Sequence, residues 1–148
     1  MGKMKIGFEQ MFDYLADYLE SVSWSRETLR EVGNSLIAEL GFNSDPANAK
    51  KNKQLCDQRK LVESMMNALL TLVNYHSVAD CLDFSPILPF IGTYDEECTD
   101  TMLYILSCTG DMKYMEMIER EAARFPSLPL EEYRAELLGR AGSAKDNI

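Results

Sequence analysis

Between Lys60 and Lys113 the chain carries no lysine or arginine, yet it carries Glu63, Asp80, Asp83, Asp95, Glu96, Glu97, Asp100 and Asp111. Carboxylates gathered without balancing cations can steer and hold a positively charged macromolecule, raising association rates by about 10–10³-fold in favourable cases. Asp80, Asp83, Asp95, Glu96, Glu97 and Asp100, with Tyr94 beside them, are therefore the candidate partner-binding residues. A plainer reading competes: acids at a helix start complement its dipole, each contributing roughly 0.3–1 kcal/mol. The binding reading requires the carboxylates to share one surface and to stay unmatched by cations from the rest of the chain.

Other constellations promise less. His76, Ser77 and Asp80 are close enough in sequence to suggest a nucleophile and base. No G-x-S-x-G elbow or glycine-rich phosphate loop accompanies them, and a helix-terminal histidine is the ordinary explanation. Cys56, Cys81, Cys98 and Cys108 contain no C-x-x-C pair and have one histidine among them, so the spacing argues for buried, reduced thiols rather than zinc. Carboxylate pairs for metal or glycosidic chemistry fall at helix starts and on polar faces. The expectation is a non-enzyme with no cofactor and no metal. Lys50-Lys51-Asn52-Lys53 with Arg59-Lys60 reads as solvated surface. Phe84, Phe90 and Tyr94 flank the acids in a hot-spot composition, but aromatics at such spacing are more often core. The nine methionines at helical spacing read as packing.

The 148 residues suit one domain with a real core. Net charge is −9, and all of it falls in residues 61–148, because residues 1–60 hold nine basic and nine acidic groups. That sign disfavours direct nucleic-acid binding and an anionic membrane. No apolar run approaches the ~20 residues of a bilayer span, and the start Met1-Gly2-Lys3-Met4-Lys5 has no apolar h-region, so a cytoplasmic location is expected.

Apolar residues recur with the helical period throughout, and no stretch alternates long enough for a strand. Phe8, Met11, Phe12, Leu15, Leu19 and Val22 predict a first helix, and Ser25 caps a second over Arg26–Leu40 that stops at Gly41. Residues 42–54 read as a connection, and about Gln54 to Tyr75 as the central, most buried helix. Pro86 and Pro89 limit Val78–Ile91 to a short helix and a bend. Thr93-Tyr94-Asp95-Glu96 has the form of a capping box, opening a helix to about Cys108. Thr109-Gly110-Asp111 is a stop followed by a cap, and Tyr114, Met115, Ile118, Ala122 and Phe125 line the next helix. Leu130, Tyr133, Leu137 and Leu138 line a last one ending near Gly139–Gly142. The fold class predicted is all-α, six or seven antiparallel helices in a stacked or bundle arrangement. Residues 1–142 form one domain and 143–148 a flexible tail.

The stretch from Thr101 to Glu119, with Leu103 and Leu106, then Gly110-Asp111, then Tyr114 and Ile118, resembles one unit of the HEAT-type helical repeats. No clean repeat of it occurs elsewhere. In size, charge and helix pattern the chain also resembles small acidic bacterial immunity proteins of contact-dependent inhibition systems. That likeness implies a tight inhibitory complex with a basic toxin domain, often a nuclease, and brings no functional residues with it. The alternative is a helical-repeat adaptor or scaffold without inhibitory activity. The oligomeric state is left open.

Overall fold

The computed structural model describes residues 8–48 and 58–146. Among these the secondary structure is entirely helical. The α-helices are α1 (Phe8–Leu19), α2 (Arg26–Ser44), α3 (Gln58–His76), α4 (Glu96–Ser107), α5 (Met115–Ala122) and α6 (Leu130–Asp146), with 3₁₀ turns at Ala79–Cys81, Leu88–Thr93 and Met112–Tyr114. The all-α expectation holds.

Local chemistry explains most boundaries. Ser25 accepts from the Thr28 amide at 3.2 Å and starts α2 as predicted. Helix α4, however, is capped by Asp95, whose carboxylate accepts from the Cys98 amide at 2.9 Å. Thr93 is not the cap, because it belongs to the preceding 3₁₀ turn and its hydroxyl donates to the Phe90 carbonyl at 2.6 Å. The turn after α4 forms as expected: Gly110 takes a left-handed φ of 68°, and Asp111 caps the next turn by accepting from the Lys113 amide at 3.0 Å. At the end of α3 the left-handed residue is Ser77, with φ 51°.

The glycines predicted to end two of the helices do not. Helix α2 runs through Gly41 to Ser44, and the need for glycine there is long-range. A Cβ on Gly41 would lie 2.5 Å from the Pro86 carbonyl oxygen. Helix α6 continues past Gly139 and Gly142 to Asp146, into the expected tail; residues 147–148 lie outside the described residues. The expected 42–54 connection is shorter than predicted, since 42–44 belong to α2 and 46–48 are helical; residues 49–54 lie outside the described residues, together with Cys56.

The helices do not simply alternate in direction. Asn43 meets Met65, and Gly33 approaches Leu72, so α2 and α3 are antiparallel. Arg124, just after α5, reaches the carbonyls of Ile91 and Tyr94 just before α4, so α4 and α5 are antiparallel as well. Yet Arg59 meets Asp95 and Asn74 meets Tyr104, which makes α3 and α4 parallel. Tyr133 meets Asp100, and Arg140 lies near Cys108, so α4 and α6 are also parallel. The His76 ring lies 2.5 Å from the carbonyl of Leu19, bringing the C-terminal ends of α1 and α3 together. The result is a row, α1–α3–α4–α6, of one sense, with α2 behind α3 and α5 behind α4 and α6. Residues 77–95, interrupted by Pro86 and Pro89, carry the chain back to the start of the row between α3 and α4.

The core lies between row and backing. Leu69, Leu72, Met102, Leu103, Ile105 and Leu106 are fully buried there. Phe84 is too, edge-on to Tyr114 with ring centroids 6.3 Å apart. Burying one such ring contributes about 2–3 kcal/mol. Glu121 is buried beside Arg124, which joins it at 2.8 Å and spends its other donors on the Ile91 and Tyr94 carbonyls. This clamp fixes the entry to α4 and hence the first turns that carry the candidate acids.

Candidate functional site: an acidic trough along α4

Because α3, α4 and α6 run side by side, the outer face of α4 forms the floor of a trough with α3 and α6 as walls. Three concavities of about 480–520 Å³ follow one another along it. The one at the helix start is lined by Arg59, Asp95, Glu96, Glu97, Asp100 and Pro129. The middle one shares Asp100 and Pro129 and adds Leu70, Asn74, Tyr104, Glu132, Tyr133 and Glu136. The last shares Glu136 and adds Ser77, Asp80, Cys108 and Arg140. Seven carboxylates (Asp80, Asp95, Glu96, Glu97, Asp100, Glu132, Glu136) and two guanidiniums (Arg59, Arg140) thus line one continuous depression.

The structure divides the sequence-predicted residues into three groups. Asp95, Glu96, Glu97 and Asp100 come together at the first turns of α4. Asp80 lies at the opposite end, roughly 18 Å away along a 12-residue helix. Asp83 and Tyr94 do not join the trough. Asp83 accepts from the Ser85 amide at 3.0 Å, while its own amide donates to Asn34 of α2 at 2.8 Å, on the backing side. Tyr94 is buried, with its hydroxyl 2.6 Å from that of Ser44. Burial pushes the Tyr94 phenol up to about 12, and it belongs with the core.

Nor are the acids unmatched by cations. Arg26, from the front of the chain, pairs with Asp80 at 2.7 Å, and Arg59 pairs with Asp95 at 2.5 Å and Glu63 at 3.4 Å. The cation-free stretch therefore does not make a wholly cation-free surface. The Cys98 backbone amide, and then Arg59, hold the Asp95 carboxyl below the usual range. Glu96 accepts from the Ser127 hydroxyl and Asp100 from the Tyr133 phenol. Burial, reinforced by Asp100, keeps the Tyr133 phenol protonated far above neutral pH. What remains is the stretch of trough from the first turn of α4 to its middle. Among the described residues no ion pair engages Glu97, Asp100 or Glu132, and Glu136 is paired only with Arg140 at 3.2 Å.

Sequence reasoning missed Glu132, Glu136, Tyr104 and Tyr133. Tyr133 to Glu136 to Arg140 and Asp100 to Tyr104 have the spacing of single helix faces, but nothing local says that these two faces meet.

Ligand atoms of Glu63, Asp95 and Cys98 lie within 4.8 Å of one another. The Arg59 guanidinium already bridges both carboxylates, and burial with the nearby Asp95 charge pushes the Cys98 thiol up to about 12. The donor set holds a guanidinium and suits a metal poorly. His76 is engaged with Leu19 and Asp80 with Arg26, so the three residues that suggested a nucleophile and base are each committed elsewhere or, in Ser77, end a helix. Cys81, Cys98 and Cys108 are free thiols, the last two buried. Among the described residues no helix is long and apolar enough to cross a membrane.

No family model matches the sequence, and no curated protein or solved structure is significantly similar to it.

Proposed function

We propose that this chain is a protein-binding inhibitor of the immunity type, which covers a basic surface of a toxin domain with the trough along α4. The observation that carries the reading is the middle of that trough. There Asp100, Glu132 and Glu136 stand around Leu70, Tyr104, Tyr133 and Pro129, with Glu97 in the adjoining concavity. Open carboxylates beside aromatic and apolar area suit a lysine- or arginine-bearing protein surface: the charges speed encounter and the rings supply contact area. Nucleic acid would meet the same charges with the wrong sign.

The test uses the immobilised protein and a lysate of its native host. The wild type should retain a basic protein that moderate salt releases, and the Glu97→Lys/Glu132→Lys/Glu136→Lys variant should not. These three positions replace the more obvious Asp95, which caps α4 and would damage the helix if reversed. Retention of the same protein by both forms would remove the trough from the interface. A helical-repeat adaptor is the second reading, favoured by the open edge of the helix row at α1; capture of a non-toxin partner would select it.

A further inference from the structure

The trough is not the only surface whose composition exceeds what the fold uses. On α1, Phe12, Leu15, Ala16 and Leu19 face the core, with Leu19 completely buried. At 3.6 residues per turn these four occupy roughly 100° of the helix circumference. Met11, Tyr14 and Tyr18 occupy the adjoining arc and are 52%, 62% and 56% exposed. The apolar arc of α1 is thus about twice as wide as the part its neighbour covers. Trp24 extends this strip, edge-on to Tyr18 with ring centroids 5.7 Å apart. Helix α1 is also the end of the row, with α3 on one side of it.

We propose that Met11, Tyr14 and Tyr18 form a docking face for a basic amphipathic helix of another protein, which would extend the row by one member. The residues recur at i, i+3 and i+7, spanning about 10 Å, the spacing with which one helix reads another. The sign of the partner follows from the flanks. Asp17 is exposed at the open edge of the strip, about 60° round the helix from Tyr14, with the exposed Asp13 and Glu20 beyond it, and residues 6–25 contain no lysine or arginine. A second copy docked about a two-fold axis would set these carboxylates against themselves. An anionic membrane would repel them. This inference does not depend on the trough.

Trp24, the sole tryptophan, is a built-in reporter. The intact protein is titrated with a synthetic leucine–lysine amphipathic helix, its leucine–glutamate counterpart, and vesicles of phosphatidylcholine with phosphatidylglycerol. The leucine–lysine helix should shift Trp24 emission to the blue, while the glutamate helix and the vesicles should not. Met11→Ser/Tyr14→Ser, which changes only exposed positions and leaves the Tyr18–Trp24 pair, should weaken binding about tenfold or more with an unchanged circular dichroism spectrum. Glu132→Gln/Glu136→Gln should bind as the wild type does. Equal binding by the double serine variant, equal binding of the glutamate helix, a shift produced by vesicles, or loss of binding in the trough variant would each overturn the inference. So would self-association of the protein that the serine substitutions abolish.

Discussion

Two places in this molecule bring carboxylates and arginines together, and they treat them in opposite ways. At the seam between the Leu88–Thr93 turn and α5, Glu121 is buried and Arg124 is fully engaged, by Glu121 and by two main-chain carbonyls. Along the trough, among the described residues, no ion pair engages Glu97, Asp100 or Glu132, although the same chain offers arginines at either end. A carboxylate that closes a local account, as a cap or a clamp, has nothing left for a partner. One left open on a concave face does. Acid content alone does not separate the two cases; the cation partners do.

Breaking the seam should have the largest effect. Arg124→Ala leaves Glu121 buried with only Arg120, at 3.0 Å, and leaves the Ile91 and Tyr94 carbonyls with only their longer bonds from the Tyr94 amide and the Thr99 hydroxyl, each 3.3 Å. A loss of about 2–3 kcal/mol is expected, read in denaturant unfolding at neutral pH. Asp95 sits between the two regions and should behave as a structural acid. Asp95→Ala should cost about 1 kcal/mol through the lost cap. The folded carboxyl is held below its unfolded value, so its contribution is complete above that value and disappears as the pH falls through the folded one. Wild-type stability should accordingly drop on acidification below about pH 4, and the variant should show a shallower drop.

Ser77→Gly should stabilise by about 0.5–1 kcal/mol, because Ser77 is exposed and holds a left-handed φ of 51° that glycine adopts without strain. The smallest effect belongs to the trough. Glu132→Gln/Glu136→Gln should change stability by less than about 0.5 kcal/mol, since among the described residues Glu132 holds no ion pair and Glu136 only a one-turn pair with Arg140. A large loss there would place the trough acids with those of the seam.

Helix existence was legible in the sequence because apolar periodicity is local, and so were the Ser25 cap and the Gly110 stop. The errors share a physical cause. Thr93 and Asp95 both suit a cap, and the choice fell to Asp95 because a 3₁₀ turn built on Pro89 already occupies Thr93. Gly41 looked like a helix end but answers to Pro86, 45 residues away. The candidate site was half legible. Glu96, Glu97 and Asp100 were found from composition. Glu132, Glu136 and the Arg59 partner of Asp95 were missed because only the parallel row brings α3, α4 and α6 into register, and the Arg26 partner of Asp80 because it comes from α2 behind that row. Tyr94 and Asp83 were placed with the acids by proximity in sequence, which a buried ring and a turn do not respect.

The central claim is that the open carboxylates of the trough recruit a basic protein. Its most direct measure is the association rate of the captured partner, followed by stopped flow at rising ionic strength for the wild type and for Glu97→Lys/Glu132→Lys/Glu136→Lys. The expected result is a wild-type rate that falls steeply with salt, and a variant rate at least about tenfold slower at low salt with little salt dependence. Equal rates and equal salt slopes for the two proteins would contradict it.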